Sequence, residues 1–361
     1  MIRWRKGEVL EIRREWPGAV ELVVSVASEG TCRALAYPAL VGRPEPGDEV
    51  LLNTTALAMG LGTGGYAMVV ALPNRLPEDP SGPGHLVKAR YTPLQATVLG
   101  ADEQDSPWHE VLREADGLDG MPVVVADLHS ALPAILAGLP RTARAVYVML
   151  DGGALPAWFS MSCAQLKEAG WLEAVVTVGQ AFGGDVEAVT THTGLLAARH
   201  VLGADVAIVT QGPGNLGTGT RWGFSGVSAG EAVNAAAVLG GRAVAALRVS
   251  EGDARERHQG LSHHSLTAYG RVALAPALVA VPALPGAFGE RVREQARALA
   301  VRHELVDVEL EGLREALDAC PARLSTMGRG LDADLAYFLA SAAAGRLAAA
   351  LLAESGPPPI G

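Results

Sequence analysis

The chain has 361 residues, 49% hydrophobic and 19% charged, enough for one large domain plus a small one. Its formal net charge of -10 argues against nucleic acid as the main partner, because phosphate backbones need a basic face, although one local basic pocket can still hold a small anion. Cys32, Cys163 and Cys320 lie far apart with no CxxC pair, which suits a reducing cytoplasm and gives no structural zinc framework.

The N-terminus, MIRWRKGEVLEI, is basic but no apolar run follows, so no signal peptide is expected. GEVLEIRRE, AVELVVSVAS, TCRALAYPAL, DEVLLNTTAL and YAMVVALP are short β-branched runs cut by turn residues. They predict a small β-barrel or sandwich over residues 1–98, with LVKARYTPLQATVLG as a last strand. Residues 101–120 read as a polar linker with a short helix. From Met121 onward strands and helices alternate. MPVVVADLHS, ARAVYVMLDGG, LEAVVTVGQAFGGD, DVAIVTQGPGN, RAVAALRVSEGD, ALVAVPALP and ELVDVEL are the strands. Such alternation predicts an α/β fold over residues 99–320, a doubly wound, mostly parallel sheet with helices on both faces. Residues 321–361 predict a C-terminal helix that packs on this domain. Its run LAYFLASAAAGRLAAALLA approaches membrane-spanning length, but it is mostly Ala and Gly with Arg346 inside it. No membrane is expected; a buried or interface helix is. An interface role makes a homo-oligomer an expectation.

Ligands of open α/β sheets bind outside the carboxyl ends of the strands. There the sequence gathers Asp127 and His129, then Asp151, then Gln180 and Asp185, then the loop from Gln211, then Asp253. Turn residues are needed at every such end, so part of this enrichment is automatic. Five consecutive loops with carboxylates, imidazole or glycine clusters nevertheless point to a ligand rim.

The loop QGPGNLGTGT (211–220) fits G-x-G-x-x-G in spacing, but no helix opens on its last glycine. As a phosphate loop it lacks the lysine. What remains is an anion cradle of backbone amides around Gly212, Gly214, Asn215 and Gly217, with hydroxyls of Thr218 and Thr220 and the charge of Arg221. The alternative is a glycine loop that permits close packing. NTTALAMGLGTGGY (53–66) reads either as a wide hairpin or as a flap offering Asn53, Thr54 and Thr63. Trp222 and Phe224 either stack on a ligand or anchor their own loop.

DARERHQGLSHHSLTAYG carries His258, His263 and His264. Ser262 is a suitable N-cap, which sets His263 and His264 in a first helical turn, where the helix dipole disfavours the charged imidazolium. Neutral imidazole is the form that accepts a proton or binds metal. Adjacent helical residues point about 100° apart, so these two are not expected to chelate one ion together. Three roles stay open: acid/base histidine, a divalent metal site completed by Asp127, His129 and Asp151, or a structural hydrogen-bonded cluster.

The segments LLNTTALAMGLGTGGY, LDGGALP, TVGQAFGGD, QGPGNLGTGTRWGFSG, RHQGLSHHSLT and TMGR together resemble a bacterial family catalogued as a domain of unknown function, number 3866. The resemblance spans about Asn53 to Arg329 and implies no particular activity. The residues themselves predict a small-molecule enzyme for hydrolysis or group transfer on a phosphorylated or nucleotide-like metabolite. The rivals are a non-catalytic binding or sensing module on the same rim, and a structural scaffold.

Overall fold

A computed structural model describes residues 1–27, 29–61 and 64–354. The chain divides into two compact units, Met1–Val98 and Leu99–Gly361.

In the first unit β1 (Trp4–Trp16), β2 (Ala19–Val26), β3 (Gly30–Ala36), β4 (Glu49–Asn53) and β5 (Ala67–Ala71) form a closed barrel in the order β1-β2-β3-β5-β4. Of the two expected forms, barrel or sandwich, the barrel is the one adopted. Two register irregularities in the 13-residue β1 bend it, so that it pairs with both β2 and β4. Val20, Leu22, Val24, Val50 and Leu52 fill the interior. The expected last strand is a hairpin, β6 (Leu86–Lys88) with β7 (Ala96–Val98). The segment 53–66 begins with a short helix, Thr55–Ala58, and not with a hairpin arm. The Asn53 side chain accepts from the Thr55 amide, and Thr54 donates to the Arg3 carbonyl. Thr63 lies outside the described residues.

The second unit is built on β8 (Pro122–Val125), β9 (Ala145–Leu150), β10 (Ala174–Thr177), β11 (Val186–Glu187), β12 (Val206–Gln211) and β13 (Arg242–Ala246). After a two-residue ladder, β14 (Val249–Ser250) with β15 (Gly260–Leu261), come β16 (Leu278–Pro282) and β17 (Glu304–Val308). The eight-stranded sheet runs β11-β10-β9-β12-β8-β13-β16-β17, and every pairing within it is parallel. Strands such as AVYVML and VAIVTQ are buried at every residue, because helices cover both faces. Val123 and Val125 face Ala229, Val233 and Val292, whereas Val124 faces Leu132, Ile135 and Phe338. Each large side chain of this kind stabilises by about 1.5–3 kcal/mol.

The chain leaves β8, passes the place of β12 to reach β9, works outward to β11, and returns to β12. It then crosses β8 to reach β13. The helix Leu132–Ala137 after β8 and the helix Ser228–Val238 after β12 lie on opposite faces. The strand order therefore reverses between β8 and β12, the switch point outside whose carboxyl ends open α/β sheets bind ligands.

The helix Leu335–Glu354 is the one described helix long and apolar enough to cross a membrane, yet 72% of its apolar window is buried. It packs on the helix Leu132–Ala137, where a side chain at Gly138 or Gly345 would run into the facing backbone. Its small residues are thus spent on the chain's own core. They supply no argument for a homo-oligomer.

Candidate functional site

The carboxyl end of β13 is where the chain departs from plain α/β geometry. Arg248 follows the strand, and its amide donates to the Ser265 hydroxyl at 2.9 Å. The β14–β15 ladder then pinches off an excursion, residues 251–259, that carries His258 out and back. Asp253 holds the base of that excursion. Its carboxylate takes the guanidinium groups of Arg255 at 2.7 Å and Arg329 at 3.2 Å. Arg329 also pairs with the fully buried Asp334, which accepts from the Ser250 hydroxyl and the Glu251 amide. The hydrogen bond with Arg255, outweighing the burial that opposes it, and the two arginine charges hold the Asp253 carboxyl far below the usual carboxylate range.

The helix His263–Thr267 opens directly after the ladder. Ser262 caps it as expected, accepting from the His264 amide at 3.2 Å, and the same hydroxyl lies 2.7 Å from Nδ1 of His258. One serine therefore starts the helix and orients the third histidine. The rings of His258, His263 and His264 lie 4.5–5.0 Å apart between centroids. One nitrogen from each falls within 4.8 Å of the others. This corrects the expectation that His263 and His264 diverge: two adjacent side chains of the first turn are long enough to fold toward one point, and His258 meets them there.

Asp127, at the end of β8, completes the cluster. Nδ1 of His264 lies 3.2 Å from its Oδ2 and 2.9 Å from Nη1 of Arg248, and Arg248 itself lies 3.5 Å from Asp127. All three are at least 95% buried. Burial acts most strongly on Asp127 and opposes its charge. His264 and Arg248 together outweigh it and hold the carboxyl below its ordinary range. Burial, helped by the charge of Arg248, pushes His258 down to about 3. Burial and the neighbouring His264 push His263 down to about 4. Both rings are uncharged near neutral pH. Nε2 of His263 is enclosed and has no hydrogen-bond partner among the described residues, which is costly for a buried polar atom.

The glycine loop borders this cluster. It folds as a hairpin in which the Thr218 amide donates to Gly223 O at 2.7 Å and the Ser225 amide to Leu216 O at 3.0 Å. The Thr218 and Thr220 hydroxyls bond each other, and Thr220 accepts from the Gly223 amide. Both hydroxyls are spent on the hairpin. A side chain at Gly212 would meet Ala154 O at 2.5 Å, so this glycine allows the loops after β9 and β12 to touch. Gly214 instead holds a left-handed φ of 93° in open space. Gly217 and Asn215 are internal to the hairpin, with Asn215 accepting from Gln211 at 2.9 Å. Arg221 is exposed. Phe224 stacks on His264, with ring centroids 3.7 Å apart and planes at 7°, so it anchors its loop on the cluster. Gln211 donates to the Asp127 carbonyl at 2.7 Å, and its buried Oε1 has no partner among the described residues.

The remaining rim residues sit elsewhere. His129 places Nδ1 3.0 Å from the Tyr147 hydroxyl and Nε2 2.8 Å from Ser160, so neither nitrogen reaches the cluster. Burial pushes it down to about 4. Asp151 is exposed and accepts from the Gln180 amide at 2.9 Å, which ties two rim loops together. Neither His129 nor Asp151 joins Asp127 in a metal site. Asp185 is not on the rim. The chain re-enters the sheet as β11, with Val186 opposite Val176, so Asp185 sits level with the start of β10 and bonds Val175 and Lys167. Arg248 escaped the sequence reading, as did Asp334 and Arg329. The only available sign was an arginine directly after an apolar strand end.

The family model described as a protein of unknown function (DUF3866) matches residues 33–345. The chain belongs to the DUF3866 family. The matched span takes in every DUF3866 residue placed above at the rim, from Asp127 through His264, and Arg329 and Asp334 as well. No curated protein matches the chain.

Proposed function

We propose that this is a cytoplasmic small-molecule enzyme that hydrolyses or transfers a group on a phosphorylated or nucleotide-like metabolite at the carboxyl ends of the parallel strands. One observation carries the reading: three imidazoles converge at the carboxyl edge of the sheet, two of them held uncharged, beside a buried Asp127–Arg248 pair. Uncharged imidazoles offer lone pairs to a proton or a Lewis acid. Asp127 and Ser262 act as positioning residues for His264 and His258. The preference for an anionic substrate is supported by Arg257, whose guanidinium lies against the hairpin tip near Gly219. Among the described residues neither Arg257 nor Arg221 has a carboxylate partner.

The test is turnover of a panel of phosphomonoesters, phosphodiesters and nucleotides by the purified chain, with His258→Ala and His263→Ala alongside. An enzyme loses about 10²–10⁴-fold in kcat while ligand affinity stays within a few-fold. Binding without turnover in the native chain would favour a sensing module that uses the same two arginines.

A further inference from the structure

We propose that His258, His263 and His264 bind one divalent transition-metal ion of the zinc class through their Nε2 atoms, with a fourth position open to water or substrate. The inference rests on reading this cluster as the working centre, and it specifies what the cluster holds.

Geometry is the first support. Nδ1 of His258 is engaged by Ser262, and Nδ1 of His264 faces Asp127 and Arg248. In both rings Nδ1 is tied to the protein, which leaves Nε2 for a ligand. Metal-bound histidines show this pattern, the outer N–H donating to a carboxylate or hydroxyl that fixes the ring. Protonated on Nδ1, His264 donates to Asp127 and presents the Nε2 lone pair; the bound ion selects this tautomer over the one that accepts from Arg248. The third ring supplies the enclosed, unpartnered Nε2 of His263. A metal ion would satisfy that atom.

Distance and charge are compatible. Nitrogens on one tetrahedral zinc at about 2.0–2.1 Å lie about 3.3 Å apart. One nitrogen of each ring already lies within 4.8 Å of the others, so modest side-chain torsions close the set. Two of the nearby arginine charges are offset, because the buried Arg248 is paired with Asp127 and the partly exposed Arg255 with Asp253. Three histidines with one open position is the arrangement of catalytic zinc, whereas structural sites fill all four. Phe224, stacked on His264, keeps one side dry.

The experiment uses the full chain, stripped with a chelator and titrated with ZnCl2 by calorimetry. One ion per chain is expected. His263→Ala and His258→Ala should each weaken binding by at least 100-fold. Asp127→Asn should weaken it by about 10–100-fold through the lost orienting contact. Circular dichroism separates these losses from unfolding. Electron paramagnetic resonance of the Cu(II)-loaded native chain reads the nitrogen ligands without any variant, and three are expected. A native chain that takes up no ion, a spectrum with at most one nitrogen, or folded histidine variants with native affinity would overturn the site. Turnover by metal-free protein would sink this inference and spare the enzyme reading. Tight zinc binding without turnover of any phosphate compound would do the reverse.

Discussion

At the residue scale, the Asp127–Arg248 contact governs the cluster. Both groups are buried, so their mutual attraction mainly offsets the cost of removing two charges from water. Removing one partner leaves that cost uncompensated. Asp127→Asn is expected to lower unfolding free energy by about 3–5 kcal/mol, read from urea titration. An effect under about 1 kcal/mol would mean that water reaches the pair. Phe224 makes a second case. Truncation to Ala removes a buried ring and its stack on His264, at a cost of about 3–5 kcal/mol, and exposes the cluster to solvent. A thermal melt and the imidazole chemical shifts check both consequences. Arg248 was not legible in the sequence, where it carried no motif; Phe224 was legible as a loop anchor, but not the ring it stacks on.

At the element scale, the glycine loop illustrates two separate uses of glycine. Gly212 gives room for Ala154 O, whereas Gly214 meets nothing and only holds an unusual φ. Gly212→Ala should therefore force two rim loops apart, at about 1–3 kcal/mol. Gly214→Ala should cost about 1 kcal/mol of backbone strain and leave the loops in place. Parallel melts of the two variants decide it, and equal losses would refute the distinction. The same physics sets the contact between the helices Leu132–Ala137 and Leu335–Glu354. Gly345→Val must push Ile135 O away, so a drop in Tm of several degrees is expected. The loop's length and glycine content were visible in the sequence. Its hairpin pairing, which consumes the Thr218 and Thr220 hydroxyls, was not, because those bonds close only when the loop ends are brought together.

At the scale of the whole molecule, acid is the expected weakness. His129 is held near 4 by burial, against an ordinary 6.5 when unfolded. Below pH 6.5 the unfolded chain takes up a proton that the folded chain refuses. Stability is therefore intact above 6.5 and falls as pH drops from 6.5 toward 4. The loss from this residue is about 1–3 kcal/mol across that window. Urea midpoints at pH 8, 6.5 and 5 should show no change over the first interval and a fall over the second. His129→Gln should reduce the fall over the second interval and leave the part that His258 and His263, depressed in the same way, contribute. Asp253 adds its own loss only at lower pH, since its carboxyl is depressed and must be protonated in acid.

What the sequence determined alone was local: the short strands, the shift to strand–helix alternation after Met121, the Ser262 cap, and the gathering of polar residues at strand ends. These depend on hydrophobic period, turn chemistry and neighbours a few positions away. Tertiary structure alone decided that the barrel closes, that β12 inserts between β8 and β9, that Asp185 drops from the rim, and that three histidines share one point with Asp127. Asp127 and His264 are 137 positions apart. Their meeting depends on strand order, and strand order is set by how whole helices bury their apolar faces against both sides of the sheet. No short window of residues carries that information.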